Sequence, residues 1–180
     1  MGPLKDITIL EFAGIGPGPF CGMLLADLGA EVIKINRPES KGTSGELITD
    51  RSKKLITFNL KNKESLKQLY KLIQQVDGIF EGYRPGVMEK LKLGPDKLLQ
   101  INPGLVYGRM TGWGQNGTKS KIAGHDINYI SLTGVLNSIG EKDEKPSIPL
   151  NLVGDYGGGA MMLAVGLLSA CLLYTSDAAD

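Results

Sequence analysis

Apolar positions fall in short runs that recur with one rhythm along most of the chain. ITILEF at residues 7–12 has the length and β-branched content of a buried strand, and the turn GIGPGP leads from it into PFCGMLLADLG. That near-continuous apolar stretch predicts a buried helix ending near Gly29. EVIKIN at 31–36 is the next strand. Strand, glycine-rich turn, helix and strand within about thirty residues is the size of a right-handed βαβ unit, which places the two strands in parallel. Residues 37–54 are polar with Pro, Gly and Ser, as a loop is, and LITFNL follows as a short strand in which Leu55 is expected to rejoin the core. Within 63–76, Leu66, Leu69, Tyr70, Leu72, Ile73 and Val76 recur at helical spacing, and DGIFEG returns as a strand. Short helices are predicted at 86–92 and 95–100, and LVYGRMTG at 105–112 is a buried strand entering a glycine-rich loop. Helices are predicted again at 126–139 and from Tyr156 onward, with Pro146 and Pro149 in the loop between them, and no internal repeat is visible. The pattern is α/β: a Rossmann-like doubly wound parallel sheet, with ligands expected at the carboxyl ends of its strands.

Composition narrows this picture in a few places. With 180 residues, 42% of them hydrophobic, the chain can bury the core of one domain. A formal net charge of +1 provides no field that would draw nucleic acid, so any phosphate site must be local. The two cysteines, Cys21 and Cys171, sit in apolar helical patterns without ligand-spaced partners, which predicts buried thiols in a reducing compartment and no metal. The N-terminus has no basic leader followed by an apolar core segment, so an intracellular protein is expected. The stretch 160–173 is short and glycine-broken for a membrane span of about 20 residues and reads as a buried core helix. The final ten residues, CLLYTSDAAD, resemble a translated transposon-type sequencing adapter. The domain is therefore expected to occupy residues 1–170, with a non-native tail over 171–180.

The first turn invites a dinucleotide-binding interpretation. Gly14, Gly16 and Gly18 form GxGxG, but Pro19 stands near the place of the fingerprint's third glycine. After the second strand, where an NAD-binding chain carries an acidic residue, stand Asn36 and Arg37. Arginine there suits a ligand with a phosphate on its adenosine ribose, a feature of both NADP and coenzyme A. A bland reading also holds: the glycines allow close helix–strand packing and Arg37 is a solvated loop residue.

The single histidine, His125, lies in AGHDINYISLTGVL, and Asp155 lies in PLNLVGDYGGG. Together with LEFAGIGPGPFCGMLLADLGAEVIKINRP, EGYRPGVMEKLKLGP and YGRMTGWGQNG, these segments closely resemble the α-methylacyl-CoA racemase family of the class III CoA-transferase superfamily. The similarity runs from about Leu4 to Ala170, in five ordered motifs. It implies the large CoA-binding domain of that fold, truncated, because family members continue into a smaller domain and form interlocked homodimers.

The resemblance assigns His125 and Asp155 as an acid/base pair facing the substrate's α-carbon from opposite sides, so that 2-methylacyl-CoA thioesters are interconverted between R and S forms. Inverting a carbon centre through an enolate needs a proton relay on each face. Coenzyme A would enter as part of the substrate, with no redox or metal cofactor, and neither nucleic acid nor membrane as partner. For coenzyme A the resemblance assigns Arg37, near the 3′-phosphate and adenine end, the segment Phe58, Asn59, Leu60 and Lys61, and Gly82, Tyr83 and Arg84. Lys90 stands where some relatives have arginine. Gly124, Asp126, Ile127, Asn128 and Tyr129 would border the pantetheine and thioester. Lys53 and Lys54, with Lys61, form either a solvated basic edge or ligand contacts. Since Gly124 to Asp126 and Asp155 to Gly159 both lie where a loop enters a predicted helix, free backbone N–H groups there are expected to hold the enolate oxygen. The rival within the superfamily is a CoA-transferase in which Asp155 is the acyl-carrying nucleophile. Other rivals are an NADP-binding reductase and an inactive CoA-binding fragment. The compartment implied is the cytoplasm in a bacterium, and the mitochondrion or peroxisome in a eukaryote.

Overall fold

A computed structural model of the chain describes residues 2–12, 14–38 and 48–177, without the side chains of 175–177. Its centre is β1 (Thr8–Phe12), which leads through a glycine turn into α1 (Pro17–Asp27) and back to β2 (Glu31–Asn36). After β3 (Lys54–Thr57) come α2 (Lys63–Ile73), β4 (Gly78–Glu81), the short helices α3 (Val87–Lys90) and α4 (Pro95–Ile101), and β5 (Val106–Arg109). All neighbours pair in parallel in the order β3-β2-β1-β4-β5, the doubly wound arrangement that the alternating pattern predicts.

The strand residues sort by alternation onto two faces. Leu10, Phe12, Ile33, Ile35 and Ile79 pack with Leu69 and Ile73 of α2 and with Met88, Leu93 and Leu98 below them. On the other face Ile9, Val32 and Phe80 meet Cys21 and Leu25 of α1. α2 is started by Asn62, whose side chain accepts from the N–H groups of Glu64 and Ser65 at 2.9 and 3.0 Å, a cap worth about 1 kcal/mol.

The same face buries charge. Glu11 and Lys34 are opposite each other in the β1–β2 register, and both are buried. Lys34 donates to Asp50 at 2.8 Å, while Lys53 reaches Glu11 Oε2 at 2.5 Å and donates to the Pro19 carbonyl at 2.9 Å. Lys53 is therefore neither a solvated edge nor a ligand contact. Its side chain is fully buried beneath α1, where it binds the strand to the turn that opens the helix. Only glycine fits above the pair, since a Cβ at Gly22 would lie 2.0 Å from Glu11 Oε2. Glu11 Oε1 has no hydrogen-bond partner among the described residues. Burial pushes the Glu11 carboxyl up to about 7 in spite of the Lys53 ammonium beside it, and pushes the Cys21 thiol up to about 12.

Several expectations need correction. β3 does not rejoin the core: it is the sheet edge, and Leu55 is 54% exposed because only β2 covers it. The predicted helix over 126–139 is two pieces, α5 (Asp126–Leu132) and a 3₁₀ turn (Val135–Ser138), parted where Gly134 turns left-handed at φ 81°. The last helix begins earlier than Tyr156, as a π-helical segment (Leu152–Ala160) that continues as α6 (Met161–Asp177), and Cys171 within it is only half-buried. It is not a buried core helix either. Ala160, Ala164 and Leu167 face the sheet, whereas Met161, Met162, Val165, Leu172 and Leu173 are exposed. By length and composition Leu152–Tyr174 is apolar enough to cross a membrane, a test that core helices of soluble proteins also pass.

Candidate functional site

β1, β4 and β5 end side by side, and the segments that leave them wall one cleft of about 850 Å³. The glycine turn after β1 contributes Gly14 to Gly18, the turn after β4 contributes Gly82, Tyr83, Arg84 and Pro85, and the loop after β5 contributes Met110, Thr111 and Trp113. Gly124, His125 and Tyr129 close one side, and Asn151, Gly154, Asp155 and Tyr156 the other. His125 and Asp155 thus open onto the same cleft, although they come from different elements.

Each is fixed by its backbone. His125 is the N-cap of α5, with extended backbone at φ −133°. Its N–H donates to Asn128 Oδ1 at 2.9 Å, and the Asn128 N–H donates back to the His125 carbonyl at 2.8 Å, leaving the residue exposed toward the cleft. Asp155 is half-buried in the first turn of the π segment, and its Oδ2 accepts from Asn151 Nδ2 at 3.3 Å. Runs of such widened turns are rare and occur mostly at functional sites.

Asp126 does not face the cleft. It is 4% exposed, and its Oδ2 accepts from the N–H groups of both Gly154 and Asp155 at 2.6 and 2.7 Å. Of the N–H groups from Asp155 to Gly159 expected to be free, that of Asp155 is therefore already taken. The Asp126 carboxylate is placed where the positive end of the helix favours negative charge.

Tyr129 lines the same cleft as the two candidate relays. Its ring meets Trp113 edge-on, centroids 5.0 Å apart, and burial together with the Asp155 charge raises its hydroxyl above the ordinary phenol range. The Trp113 indole Nε1 is buried without a hydrogen-bond partner among the described residues.

The residues assigned to coenzyme A divide. Gly82, Tyr83, Arg84, Gly124 and Tyr129 line the cleft. Arg37 stands at its margin, exposed, with the guanidinium carbon 5.3 Å from the centre of the Tyr83 ring. Phe58 and Leu60 pack against the hydrophobic core, as Tyr83 does, and the Asn59 side chain accepts from the Lys61 N–H at 3.1 Å. Lys61, Lys90, Ile127 and Asn128 are exposed and do not line the cleft. Beneath the Gly82 turn, Glu81 is buried, and its Oε2 accepts from the Tyr83 N–H at 2.7 Å. Burial raises its carboxyl above the usual range.

Met110, Trp113, Asn151 and Tyr156 also line the cleft, without a role foreseen from the sequence. The signal was present for the first two, which follow β5 at the carboxyl end where doubly wound sheets bind ligands. Asn151 and Tyr156 flank Asp155 in sequence but carry no motif of their own.

Comparison with known proteins follows the same lines. Alpha-methylacyl-CoA racemase of Mus musculus is 48% identical over 167 residues, 93% of this chain and 43% of that protein. The Mycobacterium tuberculosis protein Rv3272, named a probable fatty acyl-CoA transferase, is 34% identical over 180 residues. Its orthorhombic crystal structure matches with a TM-score of 0.81 at 36% identity, over 96% of this chain and 49% of that one. A CAIB/BAIF family protein from Brucella suis matches with a TM-score of 0.87 at 27% identity, over 98% and 51% of the two chains. The chain therefore spans about half the length, or somewhat less, of the relatives it matches. The model of CoA-transferase family III matches residues 4–177. With the parallel sheet, the cleft at its strand ends and nearly the whole sequence in agreement, the chain belongs to CoA-transferase family III.

Proposed function

We propose that the protein to which this chain belongs racemises 2-methylacyl-CoA thioesters, with His125 and Asp155 as the two proton relays. The observation that carries the reading is their shared cleft, one on the N-cap of α5 and the other on the π segment. One group removes the proton from the α-carbon, and the electron pair passes into the thioester carbonyl to form an enolate. The other returns a proton to the opposite face, so the carbon is inverted and the two groups exchange protonation states. Each relay contributes about 10²–10⁴-fold. Arg37 and Arg84, exposed at the margin and wall of the cleft, meet the phosphates of coenzyme A with planar, two-pronged donors.

The test is isotopic. Protein expressed from its complete gene is incubated in heavy water with one epimer of a 2-methylacyl-CoA. Deuterium enters the α-carbon as the stereochemistry is lost, and substitution of either relay by alanine abolishes the inversion, leaving at most exchange with retention by the relay that remains. No deuterium at that carbon would remove the racemase reading.

A second reading has its own support in the resemblance to Rv3272, a probable fatty acyl-CoA transferase. In it, Asp155 attacks the thioester carbonyl, the thiolate of coenzyme A leaves, and the acyl group is held as a mixed anhydride until an acceptor takes it. Hydroxylamine trapping of an acyl group on Asp155, without α-deuteration, identifies this case. His125 favours racemisation, because acyl transfer needs no second proton relay.

A further inference from the structure

We infer that Asp126 is a positioning residue that sets the spacing between the two relays by joining their backbones through one carboxylate oxygen. The inference rests on the reading of His125 and Asp155 as a pair and goes beyond it by naming what holds the pair at fixed separation. Asp126 follows His125 directly and opens α5, so its Cα moves with that of His125. Its Oδ2 accepts from Gly154 N at 2.6 Å and from Asp155 N at 2.7 Å. These are the distances of charge-assisted bonds, roughly twice as strong as neutral ones. At 4% exposure the carboxylate is shielded from water, which would otherwise compete for both donors.

The partner segment is shaped to receive it. A Cβ at Gly154 would lie 3.0 Å from Asp126 Oδ2, 3.1 Å from its Cγ and 3.3 Å from its carbonyl oxygen. Any larger residue would press the two segments apart. Asn151 holds the Asp155 side chain from the other direction, at 3.3 Å. The candidate base on one element and the candidate acid on the other are thereby tied at their backbones, while both side chains remain at the cleft. A proton relay of this kind depends on near-ångström placement, and a displacement of about 1 Å costs about 10²-fold in rate.

The experiment compares Asp126→Ala, Asp126→Asn and Gly154→Ala in protein expressed from its complete gene, reading epimerisation of a 2-methylacyl-CoA alongside thermal unfolding. In Asp126→Ala, kcat is expected to fall by about 10²-fold with KM changed less than about threefold, because the spacing of the relays is lost while the thioester-binding surface is kept. Asp126→Asn retains an acceptor oxygen and restores kcat to within about tenfold of wild type. That rescue separates positioning from mere loss of a folded site. Gly154→Ala leaves the carboxylate in place and only forces the segments apart, so it reproduces the kcat loss even where Asp126→Ala does not fold. Wild-type kcat in Asp126→Ala or Gly154→Ala, with epimerisation abolished in Asp155→Ala, overturns the positioning role and spares the relay. Undiminished epimerisation in Asp155→Ala overturns the relay and the positioning role together.

Discussion

The ionised Glu11 carboxylate opposes folding, and the pH range in which it does so can be worked out. Its carboxyl lies at about 7 in the folded chain against an ordinary 4.5, driven up mainly by burial and restrained by Lys53 and Lys34. Below pH 4.5 it is protonated in both the folded and the unfolded states and contributes no difference. Between 4.5 and about 7 the unfolded chain loses the proton while the folded chain keeps it, so stability falls as pH rises. At about 1.4 kcal/mol per pH unit, the loss across that window is roughly 3 kcal/mol. Above pH 7 both states are ionised and the term is constant. The perturbation is Glu11→Gln, which keeps the shape of the side chain and removes the titration. Urea unfolding of wild type and variant, measured at several values between pH 4.5 and 8, is the assay. Groups other than Glu11 and its lysine neighbours cancel to first order in the difference between the two. The wild type should lose about 3 kcal/mol relative to the variant across the window. Parallel profiles would refute the reasoning, for they would mean that Glu11 titrates alike in both states and that its burial has no electrostatic cost.

Three further outcomes are expected. Lys53→Ala strands the Glu11 carboxylate without its cation and removes the bond to Pro19, so unfolding at pH 8 should be easier by about 3–5 kcal/mol, read by the same urea titration. Trp113 is the single tryptophan and lines the cleft, so an acyl-CoA that enters it should change the intrinsic emission, and a saturable change absent from Trp113→Phe checks this by fluorescence titration. Arg37→Ala should weaken binding of coenzyme A by about 1.5–3 kcal/mol while altering that of its 3′-dephospho form far less, as calorimetry with the two ligands would show.

The parts of the fold legible in the sequence were those whose signal is local. β1, α1 and β2 follow from two apolar runs and a glycine turn, and the structure starts and ends them within a residue or two of the expected places. What failed depends on partners distant in the chain. Leu55 read as core because apolar letters do not reveal that the strand order leaves β3 with a single neighbour. Lys53 read as part of a basic edge because Glu11, which makes it a buried residue, lies on the first strand. The π segment receives the Asp126 carboxylate at Gly154 and Asp155, a contact that no pattern near residue 154 announces. His125 and Asp155 could be singled out from motif resemblance, and the strand-end rule could have added Met110 and Trp113.

The central place of β1 also governs how the chain reaches its native state. Its β2 side can be satisfied early, through the adjoining α1 crossover, but its other edge waits for β4, whose Ile79 pairs with Leu10 across most of the intervening sequence. Until β4 is available, a strand of buried apolar residues presents an open row of backbone donors and acceptors to any neighbouring chain. Closing so long a loop is slow compared with forming the local crossover. Nascent chains paused between β2 and β4 should therefore be the most aggregation-prone species, and the ones most dependent on chaperones.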